Sequence, residues 1–399
     1  MNKKSNPYSE KQPTAPQQGQ FPRMLLSKSA DERLKYFKEL TIGHPFLAET
    51  FEKLWRAVKD PNPGSIVLVY GPAGVGKSTL CKHLEKKLKE EYAGLLEEDR
   101  EMIPLVKVEA RSPANGNFDW KHLFREILIE LAEPAVEQKI DMNKWRGLWE
   151  SYLLTANNSR TPTAKLQDVL EEALRHRTPK GVLIDEAHHI CIVPSGRRLV
   201  IQPESIKSIA NRTETTHILF GSYDLLTLRN LNGQLARRTV DLHFKRYNSS
   251  NPEELEIFIN VLEQFQKHLP LEKTPDLVSC WEYIYSRSIG ATGIVKDWLY
   301  AALSAALREG SRSLKMQHLE NTALSVSQAD RLIDEALAGE QRLREEEETS
   351  SSRLAGKLGL IKIIRPDGEI REAKQKRKFS DVGMRNPKRD TIGQNRKCA

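Results

Sequence analysis

The stretch from Val69 to Leu80, "VYGPAGVGKSTL", decides how this chain reads. It places three glycines, a proline and one lysine between the apolar run "SIVLVY" and a run with helical spacing, in which Leu80, Leu84 and Leu88 share a face. Gly71, Pro72, Ala73, Gly74, Val75, Gly76, Lys77 and Ser78 fit G-x-x-x-x-G-K-[ST], with Thr79 next in line. Glycines after a strand let successive backbone N–H groups turn inward onto an anion. The helix that starts near Lys77 adds the positive end of its dipole. In such a loop Lys77 reaches the β- and γ-phosphates of a nucleoside triphosphate, and the Ser78 hydroxyl binds Mg²⁺.

A second element lies 108 residues beyond Lys77. "GVLIDE" ends an apolar strand on two adjacent carboxylates, Asp185 and Glu186. Asp185 is placed to hold magnesium through water, and Glu186 to orient or deprotonate an attacking water, which argues for hydrolysis rather than binding alone. Phosphoryl transfer also needs a cation beyond the γ-phosphate. "GQLARRTVDLHF" offers Arg237 and Arg238, ahead of a fifth strand, as a finger that could face a neighbouring subunit; the alternative is a surface pair at a helix end. Ser222, at the end of "HILFGS", could bond the γ-phosphate or the water, or be only a turn residue. Lys296, in "GATGIVKDWL", could reach the nucleotide from a helical region above it. His188 and His189 follow the acidic pair without metal-ligand spacing and read as loop packing or γ-phosphate-sensing neighbours.

Around these motifs strand-like and helix-like runs alternate. "SIVLVY", "IPLVKVEA", "GVLIDE", "HILFGS" and "VDLHF" read as strands. "PFLAETFEKLWRAV", "FDWKHLFREILIELAEP" and "TPTAKLQDVLEEALRHR" read as helices, the last with a Thr cap and a first-turn proline. That alternation predicts a parallel sheet covered on both faces. From Asn251 the pattern becomes all-helical. "NPEELEIFINVLEQFQKHL" opens with Glu254 at a capping-box position and carries Leu255, Phe258, Ile259, Leu262 and Phe265 as its stripe. "REEEETSSSR" (344–353) reads as a linker, and "LGLIKIIRPDGEIREA" as a small hairpin. Residues 135–160 stay unassigned.

The composition agrees. The chain has 399 residues, with 39% apolar and 29% charged, long enough for about two domains at ~150 residues each. Its apolar runs fall far short of the ~20 residues of a membrane helix, and the polar first twenty residues lack the apolar centre of a signal peptide. Cys81, Cys191, Cys280 and Cys398 are dispersed, which disfavours a disulfide framework or zinc site and fits a reduced, cytoplasmic location. The net charge is +8, yet residues 353–399 hold fourteen Lys and Arg against five Asp and Glu, +9, so the remainder is −1. A basic tail of this kind serves nucleic acid or an acidic partner, or is a solvated extension.

Together the phosphate loop, the Asp-Glu strand end, the polar residue after the fourth strand, the arginines before the fifth and the following helices resemble the AAA+ ATPases over roughly residues 40 to 340. "TIGHPFLAETFEKLWRAV", "VKVEARSPANGNFDWKHLFREIL" and "SIGATGIVKDWLYAALSAAL" resemble the corresponding segments of the TnsC/TniB transposition ATPases. The resemblance implies an α/β fold, a three-layer P-loop core with a parallel sheet (23–247), a small all-helical lid (251–340), a disordered lead-in (1–22) and a linker with a basic tail (341–399). It implies ATP and Mg²⁺ as cofactors and a homo-oligomeric ring or filament on duplex DNA that links a target-site selector to a transposase. Positions matching that family's DNA contacts would be Arg111, Lys121 and Arg125; Lys121 and Arg125, four apart on one face, read equally as a solvated helix edge. Such contacts grip phosphates and do not read bases. The tail, with Phe379, Val382, Met384 and Ile392 among its charges, would fold on transposase subunits; a DNA-binding arm is the other use open to it. A helicase loader or replication-initiator-like ATPase would use the same site, and a signalling ATPase would do so without DNA.

Overall fold

A computed structural model describes residues 20–61, 64–99, 102–113, 118–131, 163–191, 201–229 and 239–358. Five short strands build one parallel sheet: β1 (Ile66–Tyr70), β2 (Leu105–Glu109), β3 (Gly181–Asp185), β4 (Thr216–Gly221) and β5 (Thr239–His243). Their order across the sheet is β2-β3-β4-β1-β5. β4 therefore lies between the strand that leads into the glycine loop and the strand that ends on Asp185. The inner strands β1 and β4 are buried along their whole length, whereas the edge strand β2 alternates and the edge strand β5 buries only Leu242. Strands covered on both faces need continuous apolar runs, and edges do not.

Pairing register assigns the faces. Val67 aligns with Ile218, Val69 with Phe220 and with Leu242, and Leu183 with Ile218. These residues share a core with α2 (Pro45–Lys59) and α3 (Lys77–Glu91), which bury Leu47, Leu54 and Val58, and Leu80, Leu84 and Leu88. The alternate set, including Val106, Val108, Val182, Ile184 and Leu219, is equally buried. It faces the layer of α5 (Trp120–Leu131), α6 (Thr163–Arg177) and α7 (Ile201–Thr213), in which α5 packs on β2 and α7 on β4. The α5 stripe is Leu123, Phe124, Ile127, Leu128 and Leu131, as its spacing predicts. A short α4 (Ala93–Glu98), α7 and a 3₁₀ turn at Ala187–Cys191 have no clear periodicity and were not anticipated.

Beyond β5 the chain is helical: α8, before it, is a single turn (Leu226–Arg229), then come α9 (Pro252–His268), α10 (Trp281–Ser288), α11 (Thr292–Arg308), α12 (Met316–Thr322) and α13 (Val326–Lys357). Residues up to Gln341 form one compact unit. Within it the core runs on from Leu54, Leu80 and Phe244 through Phe258, Leu262, Val295 and Leu299 to Ala336. α1 (Ala30–Glu39), closed by a Ser29–Glu32 capping box, packs on α11. Arg246 pairs with Glu340 at 2.9 Å and also donates to the Ile289 carbonyl.

Several expectations are corrected. Asn251 caps α9 by accepting the Glu253 N–H, but no capping box forms: Glu254 instead accepts the Asn248 N–H at 2.9 Å and pairs with Lys245 at 2.7 Å. The buried face of α9 is Phe258, Val261, Leu262 and Phe265, with Leu255 and Ile259 only half-buried. The stretch 344–353, read as a linker, lies inside α13; Arg and Glu are strong helix formers, and Arg342 and Glu346 pair one turn apart at 3.2 Å. Phe21, placed in the lead-in, donates its N–H to the Lys267 carbonyl at 3.3 Å. The first nineteen residues, the cap of α6, residues 135–160, the hairpin and the tail beyond 358 lie outside the described residues.

Candidate nucleotide site

The glycine loop leaves β1 at the carboxyl end of the sheet and enters α3, so the end of β3 and the end of β4 stand on the same side of the molecule. Ligands of open parallel sheets collect at this edge. Gly74 and Gly76 have φ of 75° and 106°, which only glycine adopts without strain, and Gly76 caps α3. The α3 helix begins at Lys77; the Thr79 and Leu80 N–H groups donate to the Gly76 carbonyl at 2.9 and 3.0 Å, so the Lys77 and Ser78 amides are the ones the helix start offers to an anion. Ser78 and Ala73 are exposed, and Val75 is buried as the loop's anchor.

Lys77 is folded back into the loop. Its Nζ donates to the carbonyls of Gly71 and Pro72 at 2.9 and 2.8 Å. Burial pushes the ammonium below its ordinary pKa, while Glu186 and Asp185 pull the other way. The lysine and the two carboxylates, 108 positions apart in sequence, thus share one electrostatic environment. Asp185 Oδ1 accepts the Glu186 N–H at 3.0 Å, and Glu186 itself stands at φ 50°. Its side chain is half-exposed, with Oε2 3.1 Å from His188 Nδ1. A cradle of free amides beside a lysine fits polyphosphate. One hydroxyl and one carboxylate fit Mg²⁺, which keeps waters and phosphate oxygens in its shell.

Ser222 caps the 3₁₀ turn Tyr223–Leu225: its hydroxyl donates to Asp224 Oδ2 at 3.2 Å and accepts the Asp224 N–H at 3.4 Å. Those bonds match the turn reading of Ser222. Lys296 donates to the Lys38 carbonyl at 2.9 Å and lines a cleft beside the loop. Arg237 and Arg238 lie outside the described residues. Arg111 is exposed, 3.9 Å from Glu126. Lys121 and Arg125 are half-buried on α5, and both have partners within the protein. Glu126 therefore stands among the cations expected to grip DNA.

The sequence reading missed the cleft. Ile42, His44, Val75, Phe265, Thr292 and Lys296 are among its walls, drawn from the segment before α2, the glycine loop, α9 and α11. A chain of hydrogen bonds runs through it. His44 Nδ1 lies 2.8 Å from the Tyr247 hydroxyl and 3.4 Å from the Leu47 N–H; Nε2 lies 3.3 Å from Thr292 Oγ1, whose hydroxyl donates to the Val75 carbonyl at 3.4 Å. These partners assign the Nε2–H tautomer. Burial pushes the His44 pKa down to about 4, so the ring is neutral at pH 7. The signal in the sequence was Gly43-His44-Pro45, a cap and a first-turn proline aimed at the loop, but nothing local says that Thr292 meets it.

Residues 62–229 match the family profile described as "AAA domain". A search of characterised proteins finds no match. Among solved structures, the chain is similar to the ORC2 protein of Aeropyrum pernix in its ADPNP-ADP complexes, with 17% identity, 73% of this chain and 71% of that one covered, and a TM-score of 0.46. The ORC1 protein of Aeropyrum pernix in complex with DNA matches with 16% identity, 75% and 68% coverage and a TM-score of 0.46. Cdc6p from Pyrobaculum aerophilum matches with 13% identity, 72% and 69% coverage and a TM-score of 0.44. Nothing about activity follows from likenesses this distant. Among the described residues no helix is long and apolar enough to cross a membrane. Residues 62–229 are thus similar to an AAA domain, within an α/β fold of AAA+ type: a five-stranded parallel sheet covered by helices and followed by a helical region.

Proposed function

We propose that this protein hydrolyses ATP and uses the bound nucleotide to control its assembly on duplex DNA. The observation that carries the reading is the setting of Lys77, half-buried in a glycine loop against the Gly71 and Pro72 carbonyls while Glu186 and Asp185 act on it from the end of β3. Polyphosphate would replace those two carbonyls as the partners of the ammonium. Ser78 and, through water, Asp185 would hold Mg²⁺, which supplies charge neutralisation between the β- and γ-phosphates. Glu186 would align the attacking water. The cleft beside Gly76 and Thr79 has apolar walls and Thr292 among them, but at about 30 Å³ it has room for a water and not for a nucleobase. Arg237 or Arg238 would complete the site of a neighbouring copy.

Arg111, Lys121 and Arg125 would provide phosphate contacts, which makes DNA binding salt-dependent and nearly blind to sequence. The likeness of residues 41–58, 106–128 and 288–307 to TnsC/TniB ATPases supports a role in transposition, linking a target selector to a transposase through the basic tail. A helicase loader or replication initiator would share the core and differ in its partner.

The test is nucleotide binding and turnover by the full chain and by Lys77→Ala. Wild type should bind a fluorescent ATP analogue and release phosphate; Lys77→Ala should lose binding by about a hundredfold or more, since charge-assisted bonds of ~1.5–3 kcal/mol each are removed. Equal binding by both proteins would end the phosphate-loop reading. Electron microscopy with duplex DNA and a slow ATP analogue should show rings or filaments that dissolve with salt. A persistent monomer would end the assembly reading. Capture of a helicase in place of a transposase would select the second role.

A further inference from the structure

Glu186 occupies the left-handed backbone region, which costs a non-glycine residue about 1–2 kcal/mol. The surroundings hold it there. Its N–H donates to Asp185 Oδ1 and its carbonyl accepts the His189 N–H, both at 3.0 Å. The chain then doubles back through the 3₁₀ turn, and the His188 ring comes alongside the Glu186 side chain, Nδ1 to Oε2 at 3.1 Å. His188 Nδ1 is closed off from solvent and has no aligned hydrogen-bond partner among the described residues, so the carboxylate is its nearest match.

The backbone that carries the ring is braced on the end of β4. A Cβ on Gly221 would stand 3.0 Å from the His188 backbone nitrogen, so the 3₁₀ turn rests on the last residue of β4, next to Ser222 and Asp224. Asp224 and Lys77 both act on the imidazole electrostatically, together with Glu186 and the adjacent His189, whose ring centroid lies 4.3 Å away. His188 thus stands where the end of β3, the end of β4 and the phosphate-loop lysine converge. Burial and His189 lower its pKa, which keeps the ring neutral near pH 7. The 3.1 Å contact is not aligned as a hydrogen bond here; a small rotation of the ring lets a neutral Nδ1–H donate to the carboxylate without cancelling the negative charge a base needs.

We propose that His188 is the positioning residue for Glu186: braced on the end of β4, it holds the carboxylate in one orientation at the end of β3. A glutamate has three side-chain torsions, and only a narrow set of them points the carboxylate at a water in line with a γ-phosphate. Restricting that set raises the reactive fraction, and small misplacements at a reacting centre are costly in rate. The inference rests on the ATPase reading above. A ring that merely packs would act independently of the group at position 186.

The experiment is a double-mutant cycle on the full chain: wild type, His188→Ala, Glu186→Gln and the double variant, with His188→Asn alongside. We expect His188→Ala to lower kcat about tenfold while KM for ATP and nucleotide affinity stay within about twofold. His188→Asn, whose amide N–H can sit near the Nδ1 position, should restore most of the rate. In the Glu186→Gln background His188→Ala should change the residual rate less than about twofold. An unchanged kcat in His188→Ala, a loss confined to affinity, or the same tenfold loss without Glu186 would overturn the proposal. If His188→Ala does not fold, as judged by its melting curve, His188→Leu, which fills the space without an N–H, carries the same cycle. Wild-type turnover unaffected at position 188 defeats this inference alone; absence of nucleotide binding and turnover in the wild type defeats the ATPase reading and this inference together.

Discussion

The backbone N–H of Gly293, in the first turn of α11, donates to the Gly74 carbonyl at 2.7 Å, and the Ile294 N–H reaches the same oxygen at 3.2 Å. Helix α11 therefore spends its first free amides on the phosphate loop itself. A Cβ on Gly293 would stand 2.4 Å from that oxygen. Gly293→Val should separate loop and lid, at a cost of about 1–3 kcal/mol for overpacking. We expect a lower melting temperature and about tenfold weaker nucleotide binding, as 1.4 kcal/mol corresponds to a factor of ten. Calorimetric titration with ATP measures the second effect, and wild-type affinity in this variant would show that the contact is incidental.

Glu186→Gln keeps size and hydrogen bonding but removes the base. Turnover should fall about 10²- to 10⁴-fold, with nucleotide affinity retained because Lys77 and the loop are untouched. Phosphate release under single-turnover conditions reads this directly. A variant that hydrolyses at the normal rate would take Glu186 out of the chemistry.

Stability should fall with acid in a particular window. Burial pushes His44, His217 and His243 down to about 4, against about 6.5 in an unfolded chain. Between these values the unfolded chain binds protons that the folded one refuses. The contribution is therefore complete above pH 6.5 and lost progressively down to pH 4. For the fully buried His217 the loss is up to about 3 kcal/mol at pH 4. Melting temperature should already decline between pH 6.5 and 5, before the carboxylates titrate. A flat profile there, with a drop only below pH 4.5, would contradict the burial of these rings.

The Arg246–Glu340 pair ties the segment after β5 to α13. The arginine side chain is 5% exposed and the glutamate 19%. Glu340→Ala leaves a buried guanidinium without its counter-charge and should cost about 3 kcal/mol or more, while replacing both residues by apolar ones should recover much of the loss. Urea unfolding of the two single variants and the double variant measures the coupling. Simple additivity would mean that the pair is not a unit.

The parts of this fold that are legible in sequence are those encoded over a few neighbouring residues. The uninterrupted apolar runs at 66–70 and 218–220 announce strands covered on both sides. The stripe of α5 announces its face, and the glycine spacing announces the loop before α3. The linker at 344–353 was misread because a serine-rich acidic run looks solvated, yet its residues propagate a helix already started at Val326. The capping box at Glu254 failed because Lys245 and the Asn248 N–H, brought near by the chain's return from β5, compete for the same carboxylate.

By itself the sequence determined the five strands, the strongly amphipathic helices, the phosphate loop and the acidic strand end, because backbone conformation and burial patterns repeat over distances of two to four residues. It could not determine that Thr292 meets His44, that Gly293 caps Gly74, that Glu340 neutralises Arg246, or that His188 stands between Glu186 and the end of β4. Each of these contacts is a matter of packing geometry, set by where whole elements come to rest once a shared core excludes water, and no local pattern carries that information.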